Sequence, residues 1–513
     1  MNRSPRWTLA LTIVWASALL SATGGLGAPP AYHPALDALE PGVLPWDAYV
    51  ERSQPQRLPR VDEPSQPRRL PQVEATPLGL PAEAAPLRLT AETAAPEAQQ
   101  AAAFAAPPQL PEPKPSDVEY FTLDELKAEM KKLAWTKGDF KIVPYGYLWA
   151  SMIYETDRTF PGAYTLFVPS RDKEGEDAFV IDARRTRVGL NVTGPRIPLL
   201  NCAQSGGKVE IDFHGSFIVE NKPGILLRHA YWEAKDETFR LLVGQTWDLM
   251  SPLYPNTLMY SVGWAAGNIG YRRAQFRLER YLACSDRVLL TVQGALAQDI
   301  ISDLNTADGV DREPVDWPVI QGRTAITLGY RGENCRPMTF GVSGHIGEQG
   351  FDFIQNSGAP FFLPPADDAR IGTWSINGDM HVPITSRLGV QGEFFYGENL
   401  GTFLGGIARG VCPYRRDGIR SVGGWIEVWY DWTPRLHSHF GYTIDDPVDG
   451  DLLTGRKYNH QIFGNLSYDV TKKLNAGLEI SSWKTLHKGD DPGDPDLSPG
   501  ESVRFEFVTR YGF

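Results

Sequence analysis

Residues 502–513 read SVRFEFVTRYGF. As a strand, this stretch puts Val503, Phe505, Phe507, Thr509, Tyr511 and Phe513 on one face. Arg504, Glu506, Val508, Arg510 and Gly512 fall on the other. The last residues of soluble domains usually fray, yet this sequence stops on an aromatic at the end of an alternating apolar run. A closed β-barrel accounts for such an ending, because its last strand pairs with its first and leaves no edge. The sequence predicts that Phe507, Tyr511 and Phe513 serve barrel closure.

The same two-residue period runs back to about Gly138. KVEIDFHGSFIVE (208–220) sets Val209, Ile211, Phe213, Phe217 and Val219 against Glu210, Asp212, His214, Ser216 and Glu220. YRRAQFRLER (271–280) sets Ala274, Phe276 and Leu278 against Arg273, Gln275, Arg277 and Glu279. RVLLTVQGALAQ, GRTAITLGYR, WIEVWYDW, HQIFGNLSYDV and LNAGLEISSW repeat the pattern. About sixteen such stretches are present, each long enough for the roughly 9–11 residues that a tilted strand needs to cross a bilayer.

The connectors sort by parity. Those at the far end of DFKIVPYGYLWASMIY (139–154) are long, running about 155–177, 247–268, 299–317, 351–370, 397–418, 445–457 and 485–500; only NKPG (221–224) is short there. At the near end lie KDET, CSDR, RGENCRP, PITSR, TPR and DVTKK, with 194–208 as the one longer exception. Long loops on one rim and tight turns on the other describe an outer-membrane barrel. A soluble sandwich or propeller would alternate too, but would not separate loop lengths in this way. The predicted fold is therefore all-β: a single transmembrane antiparallel β-barrel of about 16 strands over 138–513.

Composition agrees. Of 513 residues, 14 are Trp and 20 are Tyr, an excess that interfacial aromatic belts explain. Outward positions such as Trp232, Tyr430, Trp432, Tyr442, Tyr468 and Tyr511 belong to those belts. The mean hydropathy of -0.29 excludes a polytopic helical membrane protein. A net charge of -12 argues against nucleic acid as a partner, since that binding rests on basic phosphate contacts.

Three segments precede the barrel. Residues 1–28 carry Arg3 and Arg6, an apolar core from Trp7 to Leu20 and then small residues, which reads as a secretory signal peptide. Residues 29–117 are rich in Pro and Ala, with too little apolar mass to fold, and read as a disordered periplasmic linker. Residues 118–136 contain YFTLDELKAEMKKLAW. Thr122 and Glu125 make a capping box, and Leu123, Leu126, Met130 and Leu133 make an apolar stripe, so a short amphipathic helix is expected. Being too short to stand alone, it docks on the barrel or bundles with copies from neighbouring subunits.

Alternation also sorts the lumen. The inward set includes Arg185, Arg187, His229, Tyr231, Glu233, Arg240, Arg273, Arg277, Gln321, Arg323, Glu393 and Glu427. Arg185, Arg187, Arg240, Arg273, Arg277 and Arg323 are the candidate anion path, because arginine rings and ladders bias a pore towards anions. The alternative is that Glu210, Asp212, Glu233 and Glu279 neutralise them. Arg228 shares a face with Ala230 and Trp232, so it is expected at a rim or a subunit interface; facing lipid at midplane it would cost roughly 2–4 kcal/mol. The long connector after Arg240–Gly244 is the candidate constriction loop, with Trp247, Asp248, Tyr254 and Asn256 as its candidate residues.

The stretches GQTWDLMSPLYPNTLMY (244–260), AGNIGYRRAQFRLER (266–280) and DFKIVPYGYLWASMIYETDRT (139–159) resemble the DcaP-like outer-membrane porins. The similarity spans about Leu123 to Phe513. It implies a sixteen-stranded homotrimer, a periplasmic helical N-terminus and an arginine-lined path for small anions such as dicarboxylates. The terminal aromatic pattern also resembles the signal read by the barrel-assembly machinery. Phosphate-selective porins are a neighbouring possibility, and a non-conducting adhesive or structural barrel is another.

No P-loop, HExxH or GxSxG appears, so neither an enzyme nor a bound cofactor or metal is expected. Asp-rich loops at 445–451 and 487–496 read as a solvated rim rather than as Ca²⁺ sites. Cys202, Cys284 and Cys335 map to the turn side and Cys412 to the loop side. Cys284 and Cys335 lie on consecutive turns and are the pair expected to bridge if any does.

Overall fold

The computed structural model describes residues 135–173, 175–215, 222–300, 310–331, 335–354, 357 and 361–513. The expected signal peptide, the Pro-rich segment and all but the end of the expected helix lie outside these residues. The last two positions of that helix, Trp135 and Thr136, belong instead to a short strand, Trp135–Lys137.

Sixteen strands close into one antiparallel barrel. They are β1 (Phe140–Glu155), β2 (Ala178–Asp182 continued by Arg187–Ile197), β3 (Ala203–Asp212), β4 (Leu226–Lys235) and β5 (Phe239–Trp247). Next come β6 (Arg272–Ser285), β7 (Val288–Ala297), β8 (Val310–Glu313 continued by Val319–Leu328), β9 (Met338–Phe353), β10 (Ala366–Pro383) and β11 (Leu388–Glu398). The ring is completed by β12 (Arg420–Thr433), β13 (Leu436–Pro447), β14 (Arg456–Asp469), β15 (Leu474–His487) and β16 (Leu497–Gly512). Each strand pairs with its neighbours in sequence, and β16 returns to β1 in register from Tyr147↔Gly512 to Glu155↔Arg504. Closure pairs the last strand with the first, so backbone groups that would be costly unsatisfied in hydrocarbon are bonded there.

The connectors on the long rim are L1 (156–177), L2 (213–225), L3 (248–271), L4 (298–309), L5 (354–365), L6 (399–419), L7 (448–455) and L8 (488–496). On the other rim the turns are short. The segment expected as a longer exception reduces to residues 198–202, because β2 and β3 extend into it.

Alternation behaves as the sequence predicts. Trp232, Phe276, Phe440, Phe507 and Tyr511 are exposed on the outer wall, whereas Glu210, Asp212, Arg277 and Glu506 are buried on the inner one. Below the point where β16 ends, β1 continues along residues 140–146. Trp135–Lys137 pairs with Phe140–Ile142 there, and Phe513 N donates to Gly146 O at 3.1 Å. Pro144 lies between these two partners. Proline has no N–H to donate, which suits a strand position without a partner on one side.

Two sequence expectations are corrected. Cys284 and Cys335 form no bridge; all four cysteines are free. Cys284 is the penultimate residue of β6 and Cys335 lies in the β8–β9 turn, with β7 between β6 and β8. Two inter-strand spacings, about 10 Å, exceed the roughly 7 Å that a disulfide spans. Arg228 is inward, not on the outer wall. The β3–β4 register slips between Glu210↔His229 and Ile211↔Leu227, a bulge at Arg228 that turns both Arg228 and His229 into the lumen.

Candidate functional site: the lumen and its inserted loop

L3 does not project outward. It crosses the lumen and is held strand by strand. At its start, Leu249 N donates to Gln321 Oε1 of β8 (2.8 Å). Leu253 N donates to Glu393 of β11 (2.6 Å), and Ser251 Oγ donates to the same carboxylate. Asn256 N and Nδ2 donate to Glu427 of β12 (2.5 and 2.9 Å), while Asn465 of β14 donates to Asn256 O (2.7 Å). Thr257 Oγ1 and Leu258 N donate to Glu479 of β15 (2.5 and 2.6 Å). Arg185, in the break of β2, donates to Leu258 O (2.5 Å), and Tyr260 OH donates to Asp212 of β3 (2.5 Å). Burial, reinforced by the Asp212 carboxylate, pushes the Tyr260 hydroxyl well above its usual pKa, so it stays a donor.

These contacts give Glu393, Glu427 and Glu479 a structural role. Each carboxylate accepts charge-assisted hydrogen bonds from loop N–H or hydroxyl groups. Asp445 does the same for L6, accepting from Ile407 N (2.9 Å) and Ser421 Oγ (2.5 Å). The wall of β11–β15 is thus covered by loop rather than open to solute.

The loops also pack on each other. Tyr164, Leu166 and Phe167 of L1, Tyr260, Val262 and Trp264 of L3, and Leu404, Ile407 and Ala408 of L6 form one buried apolar cluster. Asn459 of β14 ties it to the wall, donating to Leu166 O (2.8 Å) and Ala265 O (2.7 Å). The loop-side half of the lumen therefore has a dry core of its own.

The wall of β2–β6 is different in character. Arg187, Lys208 and Arg228 surround Glu210 and Asp212, with Arg228 at 2.7 Å from Glu210 and 3.0 Å from Asp212. Lys235, Arg240 and Arg277 surround Glu233 and Glu279, with Arg240 at 2.6 Å from Glu233 and Arg277 at 3.4 Å from Glu279. Each cluster sets three cations against two carboxylates. Arg323 pairs one to one with Asp379 (2.7 Å) and also donates to Gln293 (3.0 Å). Tyr145 lies flat over Gly189, where a Cβ would stand 2.3 Å from its ring, and its hydroxyl reaches Glu210 at 2.6 Å.

The DcaP outer-membrane channel of Acinetobacter baumannii aligns over 74% of this chain and 99% of its own, with a TM-score of 0.57 and 18% identity. This barrel has the DcaP fold. An anion-selective porin from Comamonas acidovorans aligns over 73% of this chain and 100% of its own (TM-score 0.46, 13% identity). Pseudomonas putida OprB does so over 76% and 97% (TM-score 0.43, 10% identity). No protein-family model and no curated protein sequence matches the chain.

Within the DcaP fold, the six arginines predicted to form the path divide into three groups. Arg187, Arg240, Arg277 and Arg323 line the inner wall. Arg185 does so beneath L3, stacked on Trp149 with its Cζ 3.8 Å from the ring centroid. Arg273 does not line the passage. Its side chain is fully buried, braced by Asp248 (3.1 Å) and Thr402 O (2.7 Å) and stacked on Phe403 at 3.8 Å, so it ties L3 to L6.

Asp248 and Asn256 are anchors of L3 rather than groups offered to solute. Asp248 accepts from Gln321 (2.6 Å), Tyr271 N (2.8 Å) and Arg273. Trp247 and Tyr254 remain partly buried at the edge of the apolar cluster, 6.3 Å apart. Of the Asp-rich rim, Asp451 is engaged by Arg420 (2.8 Å), which holds its carboxyl below the usual range. Asp490 pairs with Lys173 and Asp496 with Lys457. Sequence reasoning did not single out Glu479 or the inward turn of Arg228.

Removing Arg228 leaves Glu210 and Asp212 buried beside a lost partner. Arg228→Ala is therefore expected to cost about 3–5 kcal/mol, read as a lowered unfolding midpoint in detergent. An unchanged midpoint would show that the bulge pair carries no stability.

Proposed function

We propose that this barrel is an outer-membrane porin that passes small hydrophilic solutes and prefers small anions, dicarboxylates among them, along the β2–β6 wall. The supporting observation is the division of charge inside the lumen. Wall acids of β11–β15 are engaged by loop donors, while the β2–β6 wall keeps two clusters of three cations to two carboxylates. An anion moving there meets guanidinium groups with a net positive field, within which bidentate contact is available. Trp247 and Tyr254 set the narrow edge of this path.

The same reading places the exposed apolar band against outer-membrane lipid, with the protein working as a homotrimer delivered by the barrel-assembly machinery. The residues before the barrel belong to the periplasm, downstream of a cleaved signal peptide.

Planar-bilayer recording under a KCl gradient tests the proposal. The expected reversal potential favours chloride. Loss of one unit charge about 4 Å from a passing ion is worth about 1 kcal/mol in water, so Arg277→Ala should lower the anion-to-cation permeability ratio about fivefold. A cation-selective wild type would refute the anion preference, and the absence of channels would refute the porin.

A further inference from the structure

The lumen wall at the barrel seam gathers cationic groups around an aromatic pair. β1 points Tyr147 and Trp149 inward. β2 sets Arg187 opposite Tyr147, and β16 sets Arg510 opposite Trp149. The Arg187 and Arg510 guanidinium carbons stand 5.2 and 6.0 Å from the Tyr147 ring centroid. Arg185 completes the group from above, lying on Trp149. Three guanidinium groups, two from β2 and its break and one from β16, thus converge on one aromatic pair of β1.

Arg187 is paired with Glu210 at 3.4 Å, whereas the hydrogen-bonding capacity of Arg185 and Arg510 is not used up. Arg185 is 2% exposed, and only its Nη1 is engaged, by Leu258 O. Its Nε and Nη2, and the Tyr147 hydroxyl, are buried with no partner among the described residues. Arg510, half-buried and inward, has no hydrogen bond or ion pair among those residues. The carboxylates within electrostatic reach of Arg185 and Arg510 are already engaged: Glu506 by Arg504 (2.6 Å), and Asp469 by Asn475 (2.9 Å). Buried donors of this kind are normally satisfied, and a group with two or three lone-pair oxygens would match this set.

We propose that Arg185, Arg187 and Arg510, gathered around Tyr147 and Trp149, form an oxyanion-binding station that takes the carboxylate or phosphate group of a small solute. This rests on the reading of the lumen as an anion path and gives that path a defined stopping point at the seam. Arg510 and the Tyr147 hydroxyl are specificity-determining groups here: the first supplies charge at the open side, the second a donor at the closed side.

Isothermal titration of the full-length protein in detergent, with succinate and with inorganic phosphate in separate runs, tests the station without relying on current. Saturable binding is expected for at least one of them, and the tighter of the two identifies the oxyanion class. Arg510→Gln should weaken that binding about tenfold, the loss of one charge-assisted hydrogen bond, and Tyr147→Phe by a smaller factor. Both variants should keep the wild-type unfolding midpoint. No saturable heat with either ion, as expected if ordered water alone satisfies these atoms, would overturn the station. So would binding unaffected by both substitutions. Oxyanion binding lost in Arg510→Gln alongside a cation-selective reversal potential would uphold the station and sink the anion path; anion selectivity without binding would do the reverse.

Discussion

Truncation after Val503 is expected to abolish the folded barrel. The deletion removes Arg504–Phe513 and with it the whole register of β1 with β16, from Glu155↔Arg504 to Tyr147↔Gly512. Two strand edges would then face hydrocarbon, and each unpaired backbone group there costs several kcal/mol. Side chains add to the loss, because Arg504 holds both Glu155 (3.1 Å) and Glu506 (2.6 Å) in a buried triad. Heat-modifiable migration on SDS gels reads the outcome directly: the truncated chain should show only the unfolded band. Phe513→Ala is the control. Its backbone N–H still reaches Gly146 O, so refolding in detergent should proceed normally. A truncated chain that folds would mean the seam is dispensable.

The second large effect concerns L3. Glu427→Ala combined with Glu479→Ala removes the acceptors of Asn256 N and Nδ2, Thr257 Oγ1, Leu258 N and one Asn465 Nδ2 bond. Each buried donor left without a partner costs about 1–3 kcal/mol, and the loop escapes that cost only by leaving the wall. The barrel ladders do not depend on these carboxylates, so the folded band should persist. Single-channel conductance should rise, with frequent transitions between levels as the loop samples detached positions. Wild-type conductance with quiet traces would show that the apolar cluster alone seats L3.

The barrel was legible because two independent signals agree. The period of two fixes which side chains face lipid, and the parity of connector length fixes which rim each loop occupies. What stayed hidden depends on contacts between distant segments. Arg228 obeyed alternation on paper, and a single bulge reversed it. Arg273 lies on the correct face but is roofed by L6, which sequence spacing could not place. Glu479 looks like any inward acid of a barrel strand until L3 is known to cross to β15. Consecutive turns suggested a Cys284–Cys335 bridge, but adjacency along the chain skipped the strand between them. Trp135 and Thr136 close the range expected as a helix, yet the flank of β1 draws them into a strand.

L3 is fastened to β8, β11, β12, β14, β15, β2 and β3. A cylinder this wide is easily flattened by sideways pressure from the surrounding bilayer, and a crossing member attached at seven places resists that flattening as a spoke braces a wheel. Excising L3 would therefore soften the wall as well as widen the bore, so the size of the hole and the stiffness of the shell cannot be engineered separately in this molecule.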